Sequence, residues 1–155
     1  MGNQFLSNIR ETDAIIHVLR CFDNERIIHV DGTVDPVRDK EIIDIELQMK
    51  DLDSVNKRID KIKRQAQTGQ DSAKKELNVL EKIIKSLERG ESVRNINLSE
   101  EEWESYLEPL KLITAKPVLY VCNVDEKYAI RGNDYVDKIV ELTKNENSLV
   151  LVLAV

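Results

Sequence analysis

The chain has 155 residues, 41% hydrophobic and 34% charged, a balance too apolar for a disordered chain and rich in charge for one small core. Its formal net charge of −6 makes the average surface repel phosphate backbones and anionic membranes, so any nucleic-acid contact must be local. Cys21 and Cys122 lie inside apolar runs with no second Cys or His at metal-ligand spacing, which predicts reduced core thiols and no metal site.

The opening Met1–Asp13 stretch has neither a basic segment nor an uninterrupted apolar one, and no apolar run is long enough for a bilayer; a cytoplasmic protein with no membrane contact is expected. Ser7 stands one place late for a myristoylation signal on Gly2. Phe5, Leu6 and Ile9 predict a short amphipathic helix over 3–10. Asp13–Phe22 is a β-branched run of the kind buried on both faces of a parallel sheet. The loop from Asp23 to Asp39 is punctuated by Gly32 and Pro36.

From Asp39 a helix is predicted. Ile45, Gln48, Leu52, Val55, Ile59, Ile62 and Ala66 step by three and four, the spacing of a coiled-coil seam. Gly69 and Asp71 break it, and Ala73, Leu77, Leu80, Ile84 and Leu87 form a returning seam, so the pair reads as an antiparallel helical hairpin. Gly90 closes it. Ser99–Glu102 is a capping box for a third short helix bearing Trp103, Leu107 and Leu110. After Pro117, Val118–Cys122 is a second buried strand ending at Asn123. Asn133 or Asp134 caps a helix with Tyr135, Val136, Ile139, Val140 and Leu142 on one face. Ser148–Val155 is a third strand.

With the hairpin set aside, helices and strands alternate, which predicts an α/β parallel sheet with right-handed crossovers. Three strands make a poor sheet with two open edges, so this is expected to be half of a doubly wound domain. The expected division is residues 1–40 and 111–155 for the α/β part and 41–110 for the inserted helices. In such sheets ligands bind beyond the carboxyl ends of the strands, which singles out Asn123-Val124-Asp125-Glu126. An Asn can both accept from and donate to a purine edge, and a carboxylate three residues on can accept from ring N–H groups. The same tetrapeptide also reads as an ordinary polar loop.

Gly2–Leu6, Asn8–Ala14, His17-Val18, Arg20–Phe22 and Ile28–Pro36, with Lys116-Pro117 leading into Asn123–Glu126, resemble the successive signature stretches of the Obg-related YchF / Obg-like ATPase family. The resemblance covers essentially the whole chain. It implies the C-terminal half of a P-loop NTPase G domain, about three parallel strands with a coiled-coil insertion. It also implies ATP or GTP with Mg²⁺ as the family's ligands, and ATP preferred over GTP because Asn123 and Glu126 match an Asn-x-x-Glu element that replaces the guanine-reading Asn-Lys-x-Asp. By the same resemblance Val124 packs against the purine, and Ala154 with Leu153 offers backbone contacts, although Leu153 departs from the small residue usual there.

No Gly-x-x-x-x-Gly-Lys-Ser/Thr occurs in the sequence, and so no cradle for β- and γ-phosphates or Mg²⁺. The resemblance places that motif and the switch segments before Met1 and a TGS domain after Val155. The chain alone is therefore expected to lack catalytic residues and to bind nucleotide no tighter than about millimolar.

His17 is expected to be a satisfied core residue, and His29 has no partner at catalytic spacing. Glu100, Glu101, Glu102 and Glu104 suit a helix N-terminus without a cation. Lys57, Arg58, Lys61, Lys63, Arg64, Lys74 and Lys75 cluster near the hairpin tip, where a basic patch on an acidic protein suits an anionic partner; the resemblance implies the ribosome or RNA. Two functional classes stay open, a segment of a translation-associated purine-nucleotide hydrolase and a non-enzymatic helical-hairpin module that binds ribosome, RNA or protein.

Overall fold

A computed structural model describes residues 8–23 and 33–154. In chain order it contains β1 (Ile15–Arg20), α1 (Pro36–Gln67), α2 (Asp71–Glu88), β2 (Val118–Asn123), α3 (Asp134–Thr143) and β3 (Ser148–Leu153), with short 3-10 and π turns between α2 and β2. The described residues fall into two compact units, one drawn from 1–12 and 44–116, the other from 13–43 and 117–155. The expected helix over 3–10 lies mostly outside the described residues, although Asn8–Arg10 are helical. Gly2 and His29 lie outside them altogether.

In the second unit the strands form one parallel sheet in the order β1-β2-β3, with Ile15 beside Val118 and Val118 beside Ser148. The α/β parallel-sheet expectation holds. The pleat sends Leu19, Tyr120, Cys122 and Val152 to one face, where they pack with Val37, Val136 and Ile139. The other face differs from expectation: Ile16 is 66% exposed, Val18 62% and Leu149 72%. Val37 and α3 both pack on the first face; on the second, only the central-strand Val121 is buried among these large apolar residues, at 7% exposed.

α1 starts at Pro36, three residues before the expected Asp39. Proline suits the first helical position because its missing N–H would be unpaired there anyway. Asp35 Oδ1 caps the turn by accepting from the Arg38 N–H at 3.1 Å. The helix is 32 residues long, about 48 Å.

In the first unit, Val55, Ile62 and Ala66 of α1 and Ala73, Leu80 and Leu87 of α2 are buried as the seam requires. Ile45 is not: it is 55% exposed. Gln48 explains the difference, because its Nε2 donates to the Gly90 carbonyl at 3.0 Å and so meets the chain just past the end of α2. One turn earlier, Ile45 has no α2 turn to face. Val79 and Ile83 are buried although they lie off the seam, because Val93, Leu107 and Leu112 join the same core with Trp103, Tyr106 and Leu110 against it.

The expected third helix is broken into an α turn at Glu100–Glu102, a π turn at Trp103–Leu107 and a 3-10 turn at Glu108–Leu110. Pro109 is the cause: it has no N–H for the Ser105 carbonyl and its ring crowds it. The Glu108 N–H accordingly reaches back five residues to Trp103. The capping box forms in both directions between Ser99 and Glu102, and Lys82 Nζ adds a 2.8 Å bond to Glu102. Among the described residues no acidic or His/Cys cluster is arranged for a metal.

Asp51, fully buried in α1, closes this unit. Its carboxylate accepts from the Ile113 N–H at 2.9 Å, the Thr114 N–H at 2.7 Å and the Thr114 hydroxyl at 2.8 Å. Arg10 stands 3.7 Å away and donates to Lys50 O and Ser54 Oγ. Lys116 Nζ in turn bonds the carbonyls of Arg10 and Thr12. Asp51→Asn keeps one acceptor oxygen and turns an NH₂ toward the donor that the other oxygen served, so it is expected to cost about 2–4 kcal/mol in chemical denaturation. Burial outweighs the donors and holds the Asp51 carboxyl above the ordinary carboxylate range. A raised acid takes up a proton on folding, so its contribution is fullest below the unfolded pKa and is lost as pH rises through the folded one. The stability gap between wild type and Asp51→Asn should therefore narrow as pH rises above the ordinary carboxylate range; a widening gap would contradict this.

Candidate functional site at the strand ends

The carboxyl ends of β2 and β3 bring three of the four expected base-site residues side by side. Asn123 ends β2 opposite Leu153, and Ala154 follows Leu153. The Asn123 carbonyl accepts from the Cys21 N–H at 2.8 Å, and the Val124 N–H donates to Leu153 O at 2.9 Å. The backbone is thus held from both neighbouring strands. The Asn123 side chain shares its sheet face with Arg20 and Leu153. Glu126, exposed, opens the 3-10 turn Glu126–Tyr128 that follows.

Val124 is placed differently from the expected packing on a purine. Its side chain is only 3% exposed and belongs to the core with Cys21, Cys122 and Val136. Its N–H is engaged by the Leu153 carbonyl. Ala154 is half-buried at the end of the described chain.

The loop from Val124 to Gly132 is built from tight turns. Tyr128 donates to Asp125 O, Ala129 to Glu126 O and Gly132 to Tyr128 O, at 2.8, 3.1 and 2.8 Å. Gly132 has φ +71°, and a Cβ there would meet the Val136 side chain at 3.3 Å. Asn133 then caps α3, its Oδ1 accepting from the Val136 N–H at 3.1 Å while its Nδ2 donates to the Cys21 carbonyl at 2.7 Å. Sequence reasoning found the cap but missed the second bond. No local pattern signals it, because the partners are 112 residues apart.

Beside this loop a groove of about 720 Å³ is lined by Phe22, Asp23, Asp125, Arg131 and Tyr135 among others. Asn123, Glu126 and Ala154 do not line it. The Tyr135 hydroxyl donates to Asp23 at 3.0 Å, and that bond, with burial and nearby negative charge, raises the phenol above its usual range. Cys21 and Cys122 are buried free thiols. Their mutual hydrogen bond, together with burial, holds the Cys21 thiol far above the usual range, so it stays protonated.

Of the basic residues near the α1–α2 turn, Lys57, Lys61, Lys63, Arg64, Lys74 and Lys75 are exposed. Lys57, Lys61 and Arg64 share one stripe at i, i+4 and i+7. Arg58 is not free: it grips Glu76 with two bonds of 2.5 and 3.0 Å. Lys74 lies 3.5 Å from Asp71.

Comparison with known proteins gives a consistent result. Ribosome-binding ATPase YchF of Escherichia coli O157:H7 is 44% identical over 97% of this chain. YchF of Bacillus subtilis is 40% identical over 99% of it. The chain belongs to the YchF family. It spans 41% and 42% of the length of those two relatives. The structure of the Schizosaccharomyces pombe YchF GTPase superposes with a TM-score of 0.85 and 35% identity, covering 99% of this chain and 43% of that one. No family model matches the chain.

Within this YchF segment the glycine turn at 132 leaves little room for a side chain. Gly132→Ala forces a side chain into the left-handed region and against Val136, and is expected to cost about 1–2 kcal/mol. Thermal unfolding of the variant checks this, and an unchanged midpoint would refute it.

Proposed function

We propose that the chain is the base-reading, arm-bearing segment of a purine-nucleotide hydrolase that works on or near the ribosome. What supports this most is the placement of Asn123 and Glu126 beyond the carboxyl end of β2 in a chain of the YchF family, whose bacterial relatives bear the name ribosome-binding ATPase. Asn123 offers a donor and an acceptor to a purine edge, Glu126 an acceptor, and the carbonyls of Val124 and Ala154 further acceptors. The preference for ATP over GTP rests on the family resemblance, in which Glu126 takes the place of the aspartate that accepts from guanine N1–H and N2–H₂.

Phosphate chemistry is assigned to residues outside this sequence, because it holds no Gly-rich lysine loop. Phosphoryl transfer depends on positioning and charge neutralisation by such a loop and Mg²⁺, so the chain alone is not an ATPase. The bare apolar face of the sheet, with Ile16, Val18 and Leu149, is read as the surface on which the remainder of the nucleotide-hydrolase domain packs. Such a patch of large apolar side chains marks an interaction surface. The working unit then comprises 1–40 and 111–155 with 41–110 as its arm, completed by an N-terminal half-domain and a TGS domain, in the cytoplasm.

The exposed Lys57, Lys61 and Arg64 stripe favours ribosomal RNA or another anionic partner for the arm. It also sustains the second reading, a hairpin module that acts without nucleotide.

Titration of the chain with ATP, GTP and adenosine in the presence of Mg²⁺ tests the first reading. Binding of about millimolar strength, with ATP no better than adenosine, is the expected result; micromolar Mg²⁺-dependent ATP binding would overturn it. Charge reversal of Lys57, Lys61 and Arg64 separates the readings. Ribosome co-sedimentation should fall while adenosine binding stays as it was, and loss of neither would remove the arm as a contact.

A further inference from the structure

We propose that Asn133 is a positioning residue for base recognition, a latch that fixes the Asn123–Glu126 loop through Cys21; this rests on the base-reading role of Asn123 and Glu126. Cys21 is the common anchor. Its N–H donates to the Asn123 carbonyl at 2.8 Å, and its own carbonyl accepts from Asn133 Nδ2 at 2.7 Å. Residues 124–132 are therefore a loop whose two ends are pinned to one residue at the end of β1.

The orientation of the Asn133 amide is determined by its partners. The Val136 N–H can only donate and the Cys21 carbonyl can only accept, so Oδ1 faces the helix and Nδ2 faces the strand. A serine or aspartate would serve the helix equally well, since both cap as well as asparagine. Neither reproduces the second bond: serine is too short and aspartate has no donor. Asparagine satisfies both demands at once.

Glu126 depends on this latch more than Asn123 does. Asn123 is held by backbone bonds to Cys21 and, through Val124, to Leu153. Glu126 is exposed, and the turn it opens is tied back, among the described residues, by the backbone bonds of Tyr128, Ala129 and Gly132. If the far end of the loop is released, the carboxylate loses its fixed distance from the Asn123 amide. Recognition of a flat purine edge by two groups needs that distance to be set beforehand.

The test uses Asn133→Ser, which keeps the cap and removes the latch, beside Asn133→Asp and Asn123→Ala. Amide hydrogen exchange is followed at Tyr128, Ala129 and Gly132 in the loop and across Ile139–Thr143 in α3, with adenosine titrated by chemical-shift change. Asn133→Ser should speed exchange in the loop and leave α3 protected, and should weaken adenosine binding by about two- to tenfold. Asn133→Asp should enlarge both effects, because it sets an acceptor against the Cys21 carbonyl. Unchanged loop exchange, or loop and helix loosening together, would overturn the latch whether or not adenosine binds. Asn123→Ala separates the two ideas: if it leaves adenosine binding as it was, the base-reading role fails, and the exchange result still decides whether the latch exists.

Discussion

A buried carboxylate holds the long excursion of this chain together. Parallel neighbours such as β1 and β2 cannot be joined by a tight turn, and here the connection runs from Arg20 to Val118. Its outgoing limb is α1 and its return limb ends in the turn Ile113–Ala115. Asp51 binds one to the other by taking both N–H groups and the hydroxyl that the turn presents. Val93 extends the network by donating to Thr114 Oγ1 at 3.2 Å, and Arg94 Nε bonds the Lys116 carbonyl at 2.8 Å. The return limb thus has the Val93, Ile113 and Thr114 N–H groups and the Lys116 carbonyl paired. A side chain that could not accept three bonds from one turn would leave that turn untied from α1.

The sheet unit has a polar anchor of its own. Lys40, 3% exposed, pairs with Glu146 at 2.8 Å, and Tyr120 donates to the same carboxylate at 3.0 Å. The Lys40 ammonium also lies 5.0 Å from the Tyr120 ring centre, and the His17 ring lies tilted against the same Tyr120 ring, with centroids 5.7 Å apart. A buried ion pair adds little net stability against an apolar core, but losing one member leaves an uncompensated charge. The group therefore ties the start of α1 to the approach to β3 more by the penalty for mispairing than by attraction.

Much of this was legible in the sequence because it depends on periodicity. The steps of three and four in Val55, Ile62, Leu80 and Leu87 carry the hairpin, and three β-branched runs carry the parallel sheet. The capping box at Ser99 and the closing Gly90 follow from single-residue chemistry. What stayed hidden depends on partners far away in the chain. Ile45 continues the seam pattern as faithfully as Leu52, and only the position of Gly90 beside Gln48 shows that α2 has ended. Val124 looks like a residue after a strand, free to meet a ligand, until the pleat assigns it to the core. The exposure of Ile16 and Leu149 is likewise invisible to a pattern that records hydrophobicity without recording what lies opposite.

The same distinction separates the parts of the candidate site. Asn123 and Glu126 could be named from the sequence because the family resemblance marks them. Their support could not, because it is made of backbone bonds that any residue type can form and of one side-chain bond, from Asn133 to the Cys21 carbonyl, between residues 112 apart in the chain. Cys21 acts through its N–H and its carbonyl, while its thiol is directed to Cys122 in the core, so nothing about being cysteine announces the function of its main chain. Substitutions that keep the volume of Cys21 should leave the loop in place, whereas a change that moves the end of β1 should disturb a site formed at the ends of β2 and β3. The base site proposed for Asn123 and Glu126 would inherit its precision from sheet register, and the sheet must be correct before that loop can be.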